Sequence, residues 1–499
     1  MFTYNQLIFP SHMEKNTRFL VLAGFSLSGP VGTPFILRGD TDPIEVLGIS
    51  RLAENVELAR QYGITPLVLR LNGSHGECVV NHDELNLPAL QFKTLDATDD
   101  CNNIDIHLLP THLIVKGLTG DITYYFADYK GIDALATAIK RDLYFGKGEV
   151  DVEVLNQVPL TNLCLAERYV GFQGADDGFN LVSNHNETDS DDKLQAQIQL
   201  LRDSFIDTEG EGVYFTGELS GFQIDTLVFT DIPYEKAPAD LAYILGGFAT
   251  AKTEEQSIFC SVVLCSDLFA ETRYTDEGED TYSAQIQSLL NIAPNSIEET
   301  SFLEHVEVVV GVQDAIYAKQ ITMPCAANYA FMRYALPDFY TSATNKALLS
   351  MNTLQSRELK QNEVANLSSS GYICIVPSIR KGFVPFLSKN FYPQNAFHAK
   401  PHYLRSVHYD VGRMAGFFNQ YIGEPFNYTL FQSILTQVNS FKDQLLEGHP
   451  LYQNITIEVL DYTDTQFTLS IAFQLYGEVE VVRTSFEYVP SSEVNISWQ

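Results

Sequence analysis

The stretch "SIFCSVVLCSD" at residues 257–267 is an unbroken apolar run that ends on an acid. Similar runs occur as "IDTLVFTD" at 224–231 and as "HVEVVVGVQD" at 305–314. Runs of this kind, bounded by turn residues, are typical of strands buried on both faces of a parallel sheet. The stretch "KAPADLAYILGGFATAK" at 236–252 has a helical pattern and joins the first two runs. Together they predict a parallel sheet with crossover helices, in an α/β domain covering about 213–345.

The first hundred residues carry a β-α-β pattern of their own. The strand "RFLVLAG" at 18–24 is followed by the helix "SRLAENVELARQYG" at 50–63, which ends at Gly63, and by the strand "ITPLVLRLNG" at 64–73. We therefore expect two parallel strands with a right-handed crossover in an α/β segment, 21–100. A short polar and aromatic tail, about 1–20, precedes it.

The segment 101–172 is predicted to be a β-rich subdomain closed by one helix. Its strands are "NIDIHLL", "HLIVKGL" and "DITYYFAD", and its helix is "GIDALATAIKRDL" at 131–143.

Residues 173–212 form an acidic stretch that separates the subdomain from the α/β domain. A calcium loop is one interpretation, but "DSDDKL" lacks the glycine at the turn and the closing Glu that such a loop needs. A solvated acidic loop or linker is the simpler interpretation. The acids considered are Glu187, Asp189, Asp191, Asp192, Asp203, Asp207, Glu209 and Glu211.

The strand ends of the α/β domain carry Asp231, Asp267 and Asp314. Carboxylates at the carboxyl ends of parallel strands occupy the place where α/β enzymes hold their catalytic groups. The alternative is that they cap helices and turns, and the chain has no G-x-S-x-G, Walker loop or H-E-x-x-H motif. We therefore expect no enzyme activity.

Two histidine pairs have spacings that resemble metal sites. His398 and His402 are separated by a stretch that contains Pro401, and His107 and His112 by one that contains Pro110, so neither pair shares a regular helical turn. No metal and no other cofactor is predicted.

The last third reads as a helix, a hairpin around Arg380-Lys381-Gly382, two long helices and three alternating strands. The first long helix lies in "PHYLRSVHYDVGRMAGFFNQYIGEPFN" at 401–427. It is predicted to bury an apolar stripe and to expose a basic face. The stripe consists of Leu404, Val407, Val411, Met414, Phe418 and Tyr421.

Charge limits the possible partners. The 499 residues carry a formal charge of −32, which argues against general binding of nucleic acid or an anionic membrane. The segment 371–415 has the opposite sign of charge, because it carries six Lys or Arg and one acid. Its basic residues alternate with aromatic ones, a pattern that suits single-stranded nucleic acid or an acidic protein surface, and the acidic remainder favours the protein surface. A solvated helix face is the plainer alternative.

Cysteine usage and the first residues indicate where the chain assembles. The start, "MFTYNQLIFPSHMEK", has no signal-peptide pattern, so assembly in the cytoplasm is expected. Seven scattered cysteines without a C-x-x-C pair predict mostly buried thiols. The alternative is that one pair forms a disulfide if the assembled particle meets an oxidising medium.

The order and character of these segments resemble the contractile tail sheath family of bacteriophages and related contractile injection machines. No fixed motif carries the resemblance, which extends over nearly the whole chain. The stretches that carry it are "GPVGTPFILRGDTDPIEVLG", "PLVLRLNG", "NNIDIHLL", "DITYYFADYKGIDALATAI", "YLRSVHYDVGRMAGFFNQYIGEPFN" and "FQSILTQVNSFKDQLLEGHPLYQNITIEV".

The resemblance implies a fold class, an α/β (α+β) multidomain protein. It implies an inner tube-facing domain at 346–477, a subtilisin-like parallel α/β outer domain at 213–345 without a working triad, and a β-rich insertion. It further implies that the arms, about 1–20 and 478–499, add strands to a neighbour's sheet.

The resemblance also implies a function. Six subunits form a ring, rings stack around a tail tube, and contraction drives the tube through the host envelope. The partners implied are other copies of the chain, the tail tube protein, and baseplate and tail terminator proteins, without nucleic acid or membrane, in the virion's contractile tail. The helix with Arg405 and Arg413, together with Arg380 and Lys381 of the hairpin, is expected to contact acidic residues of the tube.

Overall fold

The computed structural model divides the chain into two compact units, Met1–Pro337 with Thr341–Pro401, and Asp338–Tyr340 with His402–Gln499. The structure describes a large part of the 499 residues. The described residues are 6–8, 18–178, 181–182, 191–206, 219–256, 258–269, 273–275, 278–294, 301–317, 322–349, 351, 354, 358–392, 399–419, 428–462, 467–477, 484–488 and 494–498.

The strands run through both units. In chain order they are β1 (Leu7–Ile8), β2 (Arg18–Gly24), β3 (Ile36–Leu37), β4 (Leu67–Arg70), β5 (Glu77–His82), β6 (Leu87–Thr94), β7 (Asp105–Leu109), β8 (His112–Lys116), β9 (Asp121–Tyr125), β10 (Val150–Val154), β11 (Arg168–Gly171), β12 (Gln223–Phe229), β13 (Ser261–Ser266), β14 (Val306–Val310), β15 (Val312–Asp314), β16 (Thr322–Pro324), β17 (Ile373–Ser378), β18 (Gly382–Pro385), β19 (Tyr452–Tyr462), β20 (Phe467–Leu475), β21 (Thr484–Tyr488) and β22 (Val494–Trp498).

The helices alternate with the strands in the first unit and form a pair in the second. They are α1 (Pro43–Leu47), α2 (Arg51–Gln61), α3 (Ile132–Tyr144), α4 (Asp191–Phe205), α5 (Pro238–Leu241), α6 (Gly247–Gln256), α7 (Thr281–Ile292), α8 (Ala326–Tyr334), α9 (Gln361–Ser369), α10 (Pro401–Asn419) and α11 (Tyr428–Gly448). A π-helical turn, Ala242–Gly246, joins α5 to α6. Among the described residues, no helix combines the length and apolar character needed to cross a membrane.

A seven-stranded sheet in the order β18-β17-β14-β13-β12-β2-β4 organises the first unit. All neighbouring pairs are parallel except β17 with β18. Every residue of β13 is buried, because separate clusters of apolar side chains cover the two faces of the sheet. The continuous apolar runs thus predicted buried parallel strands correctly.

The sheet crosses the predicted domain boundaries. Its strands come from three segments that the sequence predicts separately, 21–100, 213–345 and 346–477. β2 and β12 are adjacent although the β-rich insertion lies between them in the chain. The first two segments, and the hairpin of the third, therefore belong to one folding unit.

The β-rich insertion begins earlier than the predicted residue 101. β5 pairs with β6, β6 pairs with β10, and side chains from β5 and β6 share a core with those of β7, β8 and α3. Arg70, at the end of β4, is fully buried where the insertion begins and ends. Its guanidinium donates to the carbonyls of Gly29 at 2.7 Å and Asp177 at 2.6 Å.

Two local predictions had different outcomes. Ser50 caps α2 by accepting from the Ala53 amide at 3.2 Å, and Gly63 has a φ of 70°, so the predicted helix and its end are confirmed. The acidic loop predicted at 173–212 instead contains the helix α4, which buries Ile198, Leu201 and Phe205. This apolar spacing decides the local structure despite the many acids.

Five of the acids in that stretch, Glu187, Asp189, Asp207, Glu209 and Glu211, lie outside the described residues. The seven cysteines are all buried and free, in agreement with the predicted buried thiols.

The second unit packs α10 and α11 against β19 and β20. The sequence predicts an apolar stripe of six residues on the second long helix, Phe431, Ile434, Leu435, Val438, Phe441 and Leu445. In α11 all of these are buried except Leu435, which is half-buried. β19 pairs antiparallel with β20, and β21 with β22, each as a two-stranded sheet. The compact unit begins at His402, later than the predicted start at 346.

Candidate functional site

The hairpin of β17 and β18 places two predicted basic residues at an exposed tip. β18 is an edge strand of the seven-stranded sheet, and Gly382, with a φ of 77°, allows the tight turn before it. Arg380 is exposed, and Lys381 is exposed with its Nζ 2.8 Å from the carbonyl of Asn345. Ile379, which the sequence analysis did not single out, is 107% exposed beside them. The tip therefore presents one aliphatic and two cationic side chains to solvent.

Arg405 is not on the exposed face where the sequence predicts it. The residue is 5% exposed, and its guanidinium carbon lies 4.9 Å from the centre of the Phe339 ring. The ring of Tyr409 packs on Phe339 at 4.9 Å. Because the flat guanidinium can stack on an aromatic face, the helix tolerates this cation in a buried position. Phe339 is far away in sequence, so the spacing within α10 gave no sign of it.

Arg413 is half-exposed and linked to a buried carboxylate. Its Nη1 lies 3.5 Å from Asp410 Oδ1, and its guanidinium is near the rings of Tyr409 and Phe441, at 5.8 and 5.0 Å. Asp410 is 1% exposed and accepts a hydrogen bond of 2.6 Å from the hydroxyl of Tyr452. Burial, followed by that hydrogen bond, raises the pKa of Tyr452. The phenol of Tyr452 therefore keeps its proton and donates a hydrogen bond to Asp410.

The apolar stripe predicted for α10 is wrong in part. Met414 is buried as predicted, but Val411 is 43% exposed, and Tyr403, Ser406 and Asp410, which are outside the predicted stripe, are buried. Two of these buried residues have hydrogen-bond partners outside the helix, since Asp410 accepts from Tyr452 and Tyr403 donates to the carbonyl of Tyr476. The outward face in the described part of α10 includes Tyr409, Val411 and Arg413. Phe418 and Tyr421 belong to the part whose side chains are not described.

The carboxyl edge of the parallel sheet gathers two of the three predicted aspartates around one cation. Arg51 Nη2 lies 2.6 Å from Asp267 Oδ2, and Arg51 Nη1 donates to the carbonyl of Thr230 at 2.7 Å. Asp231 Oδ2 accepts from the Phe25 amide at 2.8 Å. Asp314 lies apart, at the end of β15 and paired through the backbone with β16. The edge ties α2 to the ends of β12 and β13.

The protonation of this edge is set by burial. Burial raises the pKa of Asp231 to about 6, against the opposing effects of the Phe25 amide and Arg51. Burial, followed by the charge of Asp267, raises the pKa of Glu235 to about 7. Burial also holds the pKa of the Cys265 thiol well above its usual range, which makes that thiol a poor nucleophile.

The same edge is not arranged as an acyl-transfer site. Asp231 and Asp267 are held by a backbone amide and a guanidinium, whereas a triad carboxylate orients a histidine. His305 lies at the opposite, amino edge of the sheet, where its Nδ1 is 2.7 Å from the carbonyl of Cys260. The geometry supports an ion-paired structural edge.

The histidines singled out by spacing have separate partners. His107 Nε2 lies 2.8 Å from Glu167 Oε1 and its ring stacks on Tyr169 at 4.0 Å. His112 Nδ1 lies 2.9 Å from Thr111 Oγ1. His402 is buried, with its ring 4.4 Å from that of Tyr403, and His398 lies outside the described residues.

No protein-family model and no curated protein matches this sequence. Among solved structures, the chain is similar to a sheath tail protein from Listeria innocua, at 13% identity and a TM-score of 0.48, over 91% of this chain and 95% of that chain. A sheath tail protein from Desulfitobacterium hafniense has 13% identity and a TM-score of 0.45, over 94% and 99%. The structural neighbours of this chain are sheath proteins.

A third neighbour is the helical sheath of the anti-feeding prophage in its contracted state. It has 13% identity and a TM-score of 0.39, over 62% of this chain and 85% of that chain. At this identity the neighbours do not decide the function of this chain.

Proposed function

We propose that this protein is the structural subunit of a contractile tail sheath. Copies polymerise as stacked hexameric rings around a tail tube, and their contraction drives the tube through the host envelope during genome delivery. The observation that carries the proposal is that, in the described part of the second unit, β19–β20 and β21–β22 are separate two-stranded sheets. The extended resemblance of the sequence to tail sheaths supports it.

Two-stranded sheets leave hydrogen-bonding groups at both outer edges. Within the described residues, β19 and β20, of 11 and 9 residues, pair only with each other. An isolated pair of strands is marginally stable in water, and an open edge is a template for a strand from another chain. The second unit is therefore suited to sheet extension by a neighbouring copy.

The terminal arms are the proposed donors. In the C-terminal arm, 478–499, β22 pairs with β21 over five residues from Thr484↔Trp498 to Tyr488↔Val494. In the N-terminal arm, 1–20, Leu7 and Ile8 of β1 pair with Leu37 and Ile36 of β3. When two copies exchange these strands, a pairing within one chain is replaced by the same pairing between chains, so the exchange costs little free energy. The strand pairings between copies then persist while other contacts between the copies change.

The proposed tube contacts are basic. Arg380 and Lys381 at the hairpin tip and Arg413 on α10 are accessible, and Arg405 supports α10 from its buried side. Exposed ion pairs with an acidic tube are individually weak and screened by salt, so they hold register and still break during contraction. The extended sheath is then a kinetically trapped state that releases its energy on contraction.

In this proposal the protein is not an enzyme and uses no cofactor. The parallel α/β part is a subtilisin-like domain kept as a scaffold, and its carboxyl edge is engaged by Arg51. The partners are other copies, the tail tube, and the baseplate and tail terminator proteins, without nucleic acid or membrane. Assembly takes place in the host cytoplasm, and the product belongs to the virion tail. A phage-derived injection machine is the alternative setting, with the same subunit role.

Electron microscopy of the purified full chain tests the proposal. We expect hollow helical cylinders, and we expect deletion of 478–499 to abolish them while the first unit keeps its unfolding transition. Monomers that stay soluble at high concentration and hydrolyse ester or peptide substrates would instead support an α/β hydrolase and overturn the proposal.

A further inference from the structure

A cleft of about 610 Å³ lies on the β-rich insertion, against the loop before β3. Its charged lining consists of Lys93 on β6, Lys140 and Arg141 on α3, and Asp151 on β10. Three basic side chains and one acidic side chain thus line the cleft, on a protein whose formal charge is −32. The volume is that of a site for a small ligand or a few residues of a peptide.

Two of the three cations of the cleft, Lys140 and Arg141, are only weakly engaged. Lys140 Nζ is 3.7 Å from Asp151 Oδ1, and the two side chains are 53% and 54% exposed. Arg141 Nε is 3.9 Å from Asp142 Oδ1 and its side chain is 64% exposed. Such long, exposed pairs contribute little, so a carboxylate ligand exchanges with them readily. The guanidinium adds the planar donor pair that carboxylates prefer.

A complementary feature occurs elsewhere in the same chain. Residues 187–192, "ETDSDD", carry four acids in six positions and no base, and the function proposed above does not use them. Asp191 and Asp192 are exposed at the first turn of α4, and the rest of this run lies outside the described residues. The run matches the cleft in sign and in approximate size.

We propose that the cleft binds the acidic run 187–192 of a second copy of this chain. The contact joins two different patches, so it is heterologous and generates rings or helices of copies. The proposal rests on the proposed function only in placing this contact within a sheath polymer. Binding of the acidic run to the cleft requires two copies of the chain and no other component. Nucleic acid is disfavoured as the occupant because the field of the whole chain repels phosphates.

Peptide binding tests the cleft independently of polymer formation. The probe is a fluorescent synthetic peptide of residues 186–192, "NETDSDD", added to the full chain, with anisotropy as the readout. We expect saturable binding that weakens as salt is raised. Lys140→Glu with Arg141→Glu should weaken it at least tenfold. Lys130→Glu with Lys147→Glu, a matched reversal of exposed residues outside the cleft, should change it less than twofold.

Equal binding by both double variants, or equal binding of the amide peptide "NQTNSNN", would overturn the proposal. If the peptide binds as expected but no cylinders form, the cleft is supported and the sheath function fails. If cylinders form and the peptide does not bind, the sheath function stands and the cleft proposal is wrong.

A charge swap tests whether the contact joins two copies. One variant carries Lys140→Glu and Arg141→Glu, and the other carries Glu187→Lys, Asp189→Lys, Asp191→Lys and Asp192→Lys. We expect each variant alone to lose association in sedimentation at low salt, and an equimolar mixture to regain it, because every junction in an alternating polymer is then complementary. Failure of the mixture, with association regained only when one chain carries all six changes, would show an intramolecular contact and overturn the proposal. Circular dichroism checks that each variant is folded.

Discussion

The strands of the seven-stranded sheet and those of the second unit bury their surfaces differently. β13 is buried at all of its residues, between β12 and β14 and between two apolar clusters. β19 pairs with one strand and exposes residues such as Val459, at 44%. Among the described residues, the first arrangement has neighbouring strands on both sides, whereas the second leaves the outer edges of β19 and β20 without a paired strand. On the function proposed above, the first unit supplies stability and the second supplies association.

The largest expected difference follows from truncating one side chain in each region. Leu264→Ala in β13 should lower the free energy of unfolding of the first unit by about 2–5 kcal/mol, because a fully buried leucine leaves a cavity. Val459→Ala in β19 should change monomer stability by less than about 0.5 kcal/mol and instead reduce assembly. Urea denaturation followed by hydrogen exchange measures each region. Equal losses in the two regions would contradict the contrast.

The carboxyl edge of the sheet should make the first unit less stable as pH rises. Asp231 and Glu235 keep their protons in the folded chain up to about pH 6 and 7, whereas their usual pKa values are 3.8 and 4.5. The unfolded chain therefore binds fewer protons between about pH 4 and pH 7, and stability falls through that window. Between pH 5 and pH 8 the two groups together should cost about 4 kcal/mol of stability.

The matched variant for this pH dependence is Asp231→Asn with Glu235→Gln. Denaturant unfolding at several pH values should show a flatter profile for the variant than for the wild type. An unchanged slope would mean that other groups set the pH dependence of the first unit.

The sequence predicted those elements whose structure is determined by residues close together in the chain. β2 was predicted to its residues, and α2 was predicted with its end at Gly63, because a continuous apolar run and a helical period are properties of neighbouring residues. The stripe of α11 was predicted for the same reason.

The remaining features depend on partners that are distant in sequence. β2 and β12 form one sheet across the insertion, so a boundary drawn between them was wrong. Arg405 is buried because Phe339 provides a ring for its guanidinium, and Asp410 is buried because Tyr452 donates to it. Periodicity within α10 assigns charged residues to solvent, and only the tertiary contacts reverse that assignment.

The buried network of α10 should contribute less than an apolar core position but more than a surface contact. Tyr452→Phe removes the hydroxyl that donates to Asp410 and leaves a buried carboxylate with one donor fewer. We expect a loss of about 1–3 kcal/mol in the second unit. Tyr428→Phe, at a residue that is 69% exposed, is the control and should change stability by less than about 0.5 kcal/mol. Protection of β19 amides from hydrogen exchange measures both, and equal protection in the two variants would exclude the network as a source of stability.

The smallest effect on stability is expected at the hairpin tip, where the effect on attachment should be clear. Arg380→Gln with Lys381→Gln changes two exposed side chains, so unfolding should shift by less than about 0.5 kcal/mol. If these cations grip an acidic tube, sheath cylinders of this variant should co-sediment with less tube, and the remaining binding should depend less on salt. Lys130→Gln with Lys147→Gln is the matched control, with the same loss of charge at exposed positions away from the hairpin. Equal tube binding by the two variants would exclude the hairpin from the tube interface. Arg413, the half-exposed cation of α10, would then be the remaining candidate. Arg405 is a poorer choice because it is buried and its replacement would also disturb the fold.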